Sequence, residues 1–226
     1  MKNKIMWIIP VVSVIAAAVA VGFLPDTIPM HFDMTGAVDR YGSKYEIFIF
    51  PAVEISFLVI GLIAEMVCKK QLSSLSDEKR LAEIKNNMKI IPVIAIAGML
   101  VFLLIGGWFV YFVLASGDVS ATVMPPQLGS VVGVAFGILL AVLGNFMPKA
   151  RKNALFGLRT PWSMKNETTW SKSNRFAGVV MFVSGILLIA VSFILKDMAA
   201  VWCFMGIVLA AVVISVVYSY VVSRKY

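Results

Sequence analysis

The sequence predicts an all-α fold, a polytopic bundle of six transmembrane helices that forms a single membrane domain over residues 1–226. Hydrophobic residues make up 60% of the chain and charged residues only 14%, whereas soluble domains have about 45–50% and 25%. Six long apolar runs alternate with short charged connections, and lysine and arginine are concentrated in alternate connections. Composition, spacing and charge therefore all predict a multi-pass membrane protein.

Six nearly uncharged runs have the length of about 20 residues that a helix needs to cross a bilayer. They are residues 5–24, 47–67, 90–116, 127–147, 176–195 and 199–222. The longest connections, 25–46, 68–89 and 148–175, are too short for a separate soluble core. A signal peptide ending near Ala20 is an alternative for the first run, but its apolar stretch continues to Leu24, which favours a retained helix.

The distribution of basic residues predicts the orientation of the chain. Of the 20 lysines and arginines, 17 lie at the termini and in connections 68–89 and 148–175, and three lie in the other connections. By the positive-inside rule, both termini and these two loops are cytoplasmic, and loop 25–46 faces outside. The net charge of +8 then reflects topology, so we expect membrane lipids and no direct nucleic-acid partner.

Two features inside the predicted spans have alternative interpretations. Glu54 is costly to place in a bilayer, so it either faces a wet pocket open to the outside or is neutral and hydrogen-bonded between helices. Gly129, Gly133 and Gly137 recur every four residues, which is typical of close helix packing. Packing within the chain is favoured for this stripe, and a homodimer through it is the alternative.

The predicted outer loop has the composition of an ordered segment. Prolines end the first helix and favour an extended path, while Gly36 and Gly42 permit turns. In an extended segment His31 and Asp33 point the same way, which would suit a proton-sensing or metal-binding pair. Two ligands do not make a metal site, and we predict no metal and no cofactor.

The predicted cytoplasmic connections contain helix starts. Residues 76–89 fit an amphipathic helix that extends the third span, with Ser76 as N-cap. Thr160 and Pro161 fit an N-cap and first helical residue, and Asn166 fits the N-cap of a helix that runs into the fifth span. Trp162 suits the membrane interface.

Two segments of the chain resemble a known family. The outer loop has the elements LP, IP, HF, G and DRYG, and the second cytoplasmic loop has GNFMPKARKNALFGLRTPW followed by NETTW and NRF. In this order and spacing they resemble the Sdp immunity family of bacterial multi-pass membrane proteins, over nearly the whole chain. One departure is Asn174, where the family often has a histidine, which puts in doubt any role that needs a titratable group there.

The resemblance implies a plasma-membrane protein that protects a bacterium from a secreted peptide toxin and signals by holding a small transcriptional repressor. It implies toxin recognition by the outer-loop residues His31, Phe32, Asp33, Gly36, Asp39 and Arg40. It implies that the repressor is held near Asn145, Pro148, Lys149, Asn153, Gly157, Arg159, Thr160, Pro161, Trp162 and Trp170.

A membrane enzyme or carrier acting on a lipid or small solute is the alternative function. Its polar groups would be Glu54, His31 and Arg159, and the last two are predicted on opposite faces of the bilayer. The chain has no HExxH sequence, no nucleophile motif and no phosphate-binding loop. We therefore predict that the protein is not an enzyme and has no catalytic residues.

Overall fold

A computed structural model describes residues 2–33, 35, 37–74, 76–116, 127–153, 155–195 and 197–226. The α-helices are α1 (Lys2–Val21), α2 (Ile49–Ser74), α3 (Glu78–Ser116), α4 (Gln127–Phe146), α5 (Glu167–Ile194) and α6 (Asp197–Lys225). Two strands, β1 (Thr27–Phe32) and β2 (Val38–Ser43), follow α1, and short 3-10 helices occupy Lys44–Phe48 and Met147–Lys149.

The predicted fold class is confirmed. In the described part of the chain, six helices are long and apolar enough to cross a membrane. Their apolar side chains point outward in large numbers, as they do in proteins whose surroundings are lipid. The bundle has a hairpin end, formed by residues 22–48, and a loop end, formed by residues 70–89, 147–166 and 222–226.

The segment predicted as an ordered loop is a β-hairpin. β1 and β2 pair antiparallel from Thr27 opposite Ser43 to Phe32 opposite Val38, with the register shifting on either side of His31. Ile28 is fully buried and joins a cluster with residues of α1, the 3-10 helix and α3. This apolar contact fixes the hairpin on the bundle.

The helices at the loop end are longer than the predicted spans. α3 combines the predicted amphipathic extension and the third span in one helix of 39 residues. Its cap differs from the predicted one, because Asp77 and not Ser76 accepts a backbone hydrogen bond, from Lys79 N at 3.0 Å. A carboxylate suits this position, since the first backbone N–H groups of a helix lack internal partners.

The chain packs as two sets of three helices. Met6, Leu58 and Met99 lie in the buried cluster that joins α1, α2 and α3. α5 packs against both α4 and α6. Ring contacts join the two sets, since Phe102 of α3 lies 6.4 Å from Phe136 of α4 between ring centroids.

The glycine stripe of α4 is a contact within the chain. An added Cβ at Gly137 would lie 2.8 Å from the carbonyl oxygen of Gly185 in α5, and Gly133 lies against Ser192. Gly129 is also buried. Packing within the chain, the favoured interpretation, accounts for Gly133 and Gly137, so a homodimer would have to use another face.

Candidate functional site

The hairpin presents a histidine–carboxylate pair that the sequence did not reveal. His31 Nδ1 lies 2.6 Å from Asp39 Oδ1, and both side chains are largely exposed. The strict alternation that would point His31 and Asp33 the same way is interrupted by the register shift at His31. The histidine contacts Asp39 across the two strands.

Asp33 organises the turn of the hairpin. Its Oδ1 accepts hydrogen bonds from Thr35 N at 2.7 Å, Thr35 Oγ1 at 2.6 Å and Ala37 N at 3.0 Å. An aspartate that accepts backbone bonds in this way is typical of tight turns. Gly36, also predicted in the recognition set, lies outside the described residues.

Two ion pairs lie at the base of the hairpin. Arg40 Nη2 donates to Glu46 Oε2 at 2.8 Å, and Lys44 Nζ lies 2.9 Å from Asp26 Oδ1. Glu46 also accepts from Ser43 N, which closes a capping box at the following 3-10 helix. The charged groups of the hairpin thus have side-chain partners on an exposed surface, while Phe32 is half-buried.

Glu54 lies inside the helix bundle below the hairpin. Its side chain is fully buried, and Ser13 Oγ of α1 donates to its Oε1 at 2.9 Å. Its Oε2 has no hydrogen-bond partner among the described residues. Of the two interpretations of Glu54, the structure agrees with hydrogen bonding between helices.

At the loop end, the side chain of Asn153 forms hydrogen bonds with backbone groups on both sides of it in the chain. Its Oδ1 accepts from Leu155 N at 2.7 Å and from Phe156 N at 2.8 Å, and its Nδ2 donates to the carbonyl oxygens of Arg151 and Phe156. An asparagine suits this position, because its amide can accept and donate at the same time.

The buried side chains of Trp170 and Asn174 lie against the half-buried Gly157 at the centre of the loop end. Gly157 has φ +115°, a backbone conformation that favours glycine, and a Cβ there would meet Asn174 and Trp170. Trp170 Nε1 donates to the carbonyl oxygen of Ala150 at 2.9 Å. Asn174 Oδ1 accepts from Leu158 N at 2.7 Å, and its Nδ2 donates to Trp170 O at 3.1 Å. The sequence singled out Asn174 only as a departure from a family pattern.

Thr160 starts a turn and not the predicted helix. Its Oγ1 accepts from Ser163 N at 3.0 Å, while Ser163 Oγ accepts from Thr160 N and donates to Leu158 O. The hydroxyl of Thr160 also lies 2.7 Å from that of Ser219 in α6. The predicted cap at Asn166 is confirmed, since its side chain accepts from Thr169 N at the start of α5. Ser163 and Ser219 therefore belong to the hydrogen-bond network around Thr160, although no pattern in the sequence indicated this.

Three side-chain contacts join the loop and the start of α5 to the C-terminal part of the chain. The ring of Trp162 lies 5.2 Å from that of Tyr220 in an edge-to-face arrangement. Lys165 Nζ donates to the carbonyl oxygen of Ser223. Lys172 Nζ donates to Tyr226 Oη at 2.7 Å, and this ammonium lowers the pKa of Tyr226.

Other predicted loop residues face outward. The exposed members of the set are Asn145, Pro148, Lys149, Arg159 and Pro161. Lys149 Nζ lies 4.7 Å from the centre of the Phe146 ring. These residues are the accessible part of the motif, whereas Asn153, Gly157 and Trp170 shape the loop.

A cleft opens at the loop end between the two sets of helices. Asn86 donates to Lys149 O, and Asn87 both accepts from Arg151 N and donates to Arg151 O, so α3 holds the start of the loop. Beside these bonds lies a cavity of about 590 Å³, the loop-end cleft. Its charged lining residues are Arg80, Glu83, Lys152 and Glu167.

Comparison with known proteins assigns these two ends to one family. The SdpI/YfhL protein family model matches residues 149–219, and a domain of unknown function, DUF1648, matches residues 8–55. The chain is 31% identical over 224 residues to "Immunity protein SdpI" of Bacillus subtilis (strain 168), covering 99% of this chain and 97% of that protein. The chain belongs to the SdpI/YfhL protein family. No solved structure matches it.

The boundaries of the matches follow the structural units. The DUF1648 match contains most of α1, the hairpin and the first turns of α2, and it includes both Ser13 and Glu54. The SdpI/YfhL match contains most of the loop, all of α5, and α6 as far as Ser219, the partner of Thr160.

Among the described residues, no group of three or more His, Cys, Asp or Glu side chains is placed to hold a metal ion.

Proposed function

We propose that this protein is an immunity protein of the bacterial plasma membrane that protects the cell from a secreted peptide toxin. The observation that carries the proposal is the 31% identity to Immunity protein SdpI along nearly the full length of both chains. The likeness spans the hairpin and the loop end together. No feature of the described residues favours the alternative of an enzyme or carrier.

The hairpin is the surface that we propose for toxin recognition. The groups His31, Asp39 and Arg40 are exposed, and each has a side-chain partner on the hairpin or at its base: His31 and Asp39 contact each other, and Arg40 pairs with Glu46. Groups that are fixed before binding lose little side-chain entropy when a ligand arrives. The accessible charges on one rigid hairpin therefore suit a binding surface outside the cell.

The loop-end cleft is the surface that we propose for the internal partner, a small transcriptional repressor. It carries two basic and two acidic side chains, and Arg159 is exposed on the same loop. A mixed set of charges suits a protein surface better than it suits an anionic lipid or a nucleic acid. This proposal requires the loop end to face the cytoplasm.

Protection of sensitive cells tests the proposed function. Indicator bacteria without their own immunity protein should survive a purified Sdp-type toxin peptide when they express this chain. Arg40→Ala should lower the tolerated toxin concentration at least about fivefold, since truncating an important interface arginine costs about 1 kcal/mol or more. Arg224→Ala is the matched control, since Arg224 is an exposed arginine in the last turn of α6, at the opposite end of the bundle, and does not line the loop-end cleft. Killing of cells whose membranes contain the wild-type protein would disprove the proposal.

Labelling with an impermeant thiol reagent tests the proposed orientation. In a parent in which Cys68 and Cys203 are replaced by alanine, Thr35→Cys should be modified in intact cells and Lys165→Cys only after lysis. Both positions are exposed, at opposite ends of the bundle, so a difference reports the side of the membrane. The reverse pattern would overturn both the orientation and the cytoplasmic partner.

A further inference from the structure

A cavity lies between α1, α2 and α3 directly below the hairpin. Its volume is about 160 Å³, and we call it the subhairpin pocket. Ala17, Ala20 and Ile47 line its upper part and also belong to the buried cluster that includes Ile28 of the hairpin. The pocket is therefore continuous with the base of the proposed recognition surface.

The size and lining of the subhairpin pocket restrict its occupant. Apart from Ser13, its wall consists of apolar side chains and glycines, including Phe50, Leu103 and Gly107. Cavities of about 150 Å³ with apolar walls take up benzene and exclude water. The subhairpin pocket thus matches one aromatic or branched apolar side chain.

Ser13 gives the pocket one polar group with a defined role. Its side chain is 6% exposed, and its hydroxyl proton points to Glu54 Oε1 at 2.9 Å. A hydroxyl that donates its single proton keeps two lone pairs as acceptors. A side chain that binds in the pocket would therefore be apolar. An N–H group at its tip or on its backbone would donate a hydrogen bond to Ser13 Oγ.

We propose that the subhairpin pocket binds one apolar side chain of a membrane-active peptide whose charged parts lie against the hairpin. The inference rests on the proposed function and names the feature of the toxin that the protein recognises. The pocket is open on one side, so a side chain bound there would contact α1, α2 and α3 on its inner side and lose part of its contact with the surroundings. A tryptophan side chain fits the apolar lining and the acceptor Ser13 Oγ best, because it combines a large apolar ring with one N–H donor.

Filling the pocket from the protein side tests the proposal. An added Cβ at Gly107 meets no atom within 4 Å, and Gly107 lines the pocket, so Gly107→Leu should direct a branched apolar side chain into this space. The variant should lower the tolerated concentration of purified Sdp-type toxin peptide at least about tenfold, the loss expected when one large apolar side chain is no longer buried. Gly206→Leu is the matched control, since Gly206 is also in a helix with open space around it but lies in α6.

Photocrosslinking supplies a readout that does not depend on survival. Toxin peptides that carry a diazirine on one apolar side chain at a time should crosslink to pocket residues such as Ala17 or Leu103, and Gly107→Leu should abolish this product. If wild-type and Gly107→Leu cells are equally protected and no crosslink maps to the pocket, the pocket proposal is wrong and the immunity function stands. If the wild-type chain neither protects nor crosslinks, the immunity function fails, and the peptide ligand assigned to the pocket fails with it.

Discussion

Gly144→Ala is expected to destabilise the protein strongly, although alanine normally stabilises a helix. A Cβ at Gly144 would lie 2.5 Å from the carbonyl oxygen of Gly178 and 2.5 Å from the backbone nitrogen of Phe182 in α5. These are backbone atoms of a packed helix, so they cannot rotate away as a side chain can. Overpacking costs about 1–3 kcal/mol even where side chains can adjust, and we expect a loss of at least about 3 kcal/mol here.

The measurement is the melting temperature of the purified protein in detergent, together with its abundance in membranes. Gly206→Ala is the control, since open space surrounds Gly206 in α6. There the same substitution should stabilise the helix by up to about 1 kcal/mol, the usual gain of alanine over glycine. Equal effects of the two substitutions would show that α4 and α5 do not pack through their glycines.

The close approach of α4 and α5 also explains how the motif loop is held. Gly178 meets both the backbone of Gly144 and the ring of Pro148, so α5 lies against the end of α4 and the start of the loop. In a bilayer, helices gain little from apolar contact, and close backbone packing contributes much of their association. A change at Gly144 should therefore disturb the loop end as well as the helix pair.

The helical part of the fold was predictable because the bilayer imposes a simple rule. Backbone polar groups must bond internally in lipid, so an apolar run of sufficient length becomes a helix. The N-cap at Asn166 was predictable for a similar reason, since it depends on residues within one turn. Ser76 and Asp77 are both residue types that cap helices well, and only the geometry of the turn shows that Asp77 takes this position.

The hairpin and the centre of the loop were not predictable, because their contacts depend on register and on distant segments. His31 meets Asp39 only through the register shift beside it. Thr160 and Ser219 are 59 positions apart, and no local pattern relates them. The family resemblance found the segments that the family comparisons match, but it did not separate exposed residues such as Arg159 from the half-buried Asn153 and the buried Trp170.

Asn174→Ala should loosen the motif loop while leaving the helix bundle intact. Asn174 is 1% exposed, and its amide accepts from Leu158 N and donates to Trp170 O. Removing the amide leaves the partly buried N–H group of Leu158 without this partner, at a cost of about 1–3 kcal/mol.

Hydrogen–deuterium exchange in detergent measures this effect directly. In Asn174→Ala, backbone amides of residues 157–163 should exchange at least about fivefold faster, the change that corresponds to about 1 kcal/mol of local opening. Amides of α2, which does not touch this asparagine, should keep their rates. Asn145→Ala is the matched control, because Asn145 is exposed at the end of α4. Unchanged exchange in Asn174→Ala would show that Gly157 and Trp170 hold the loop alone, and faster exchange throughout the chain would show that Asn174 supports the whole bundle.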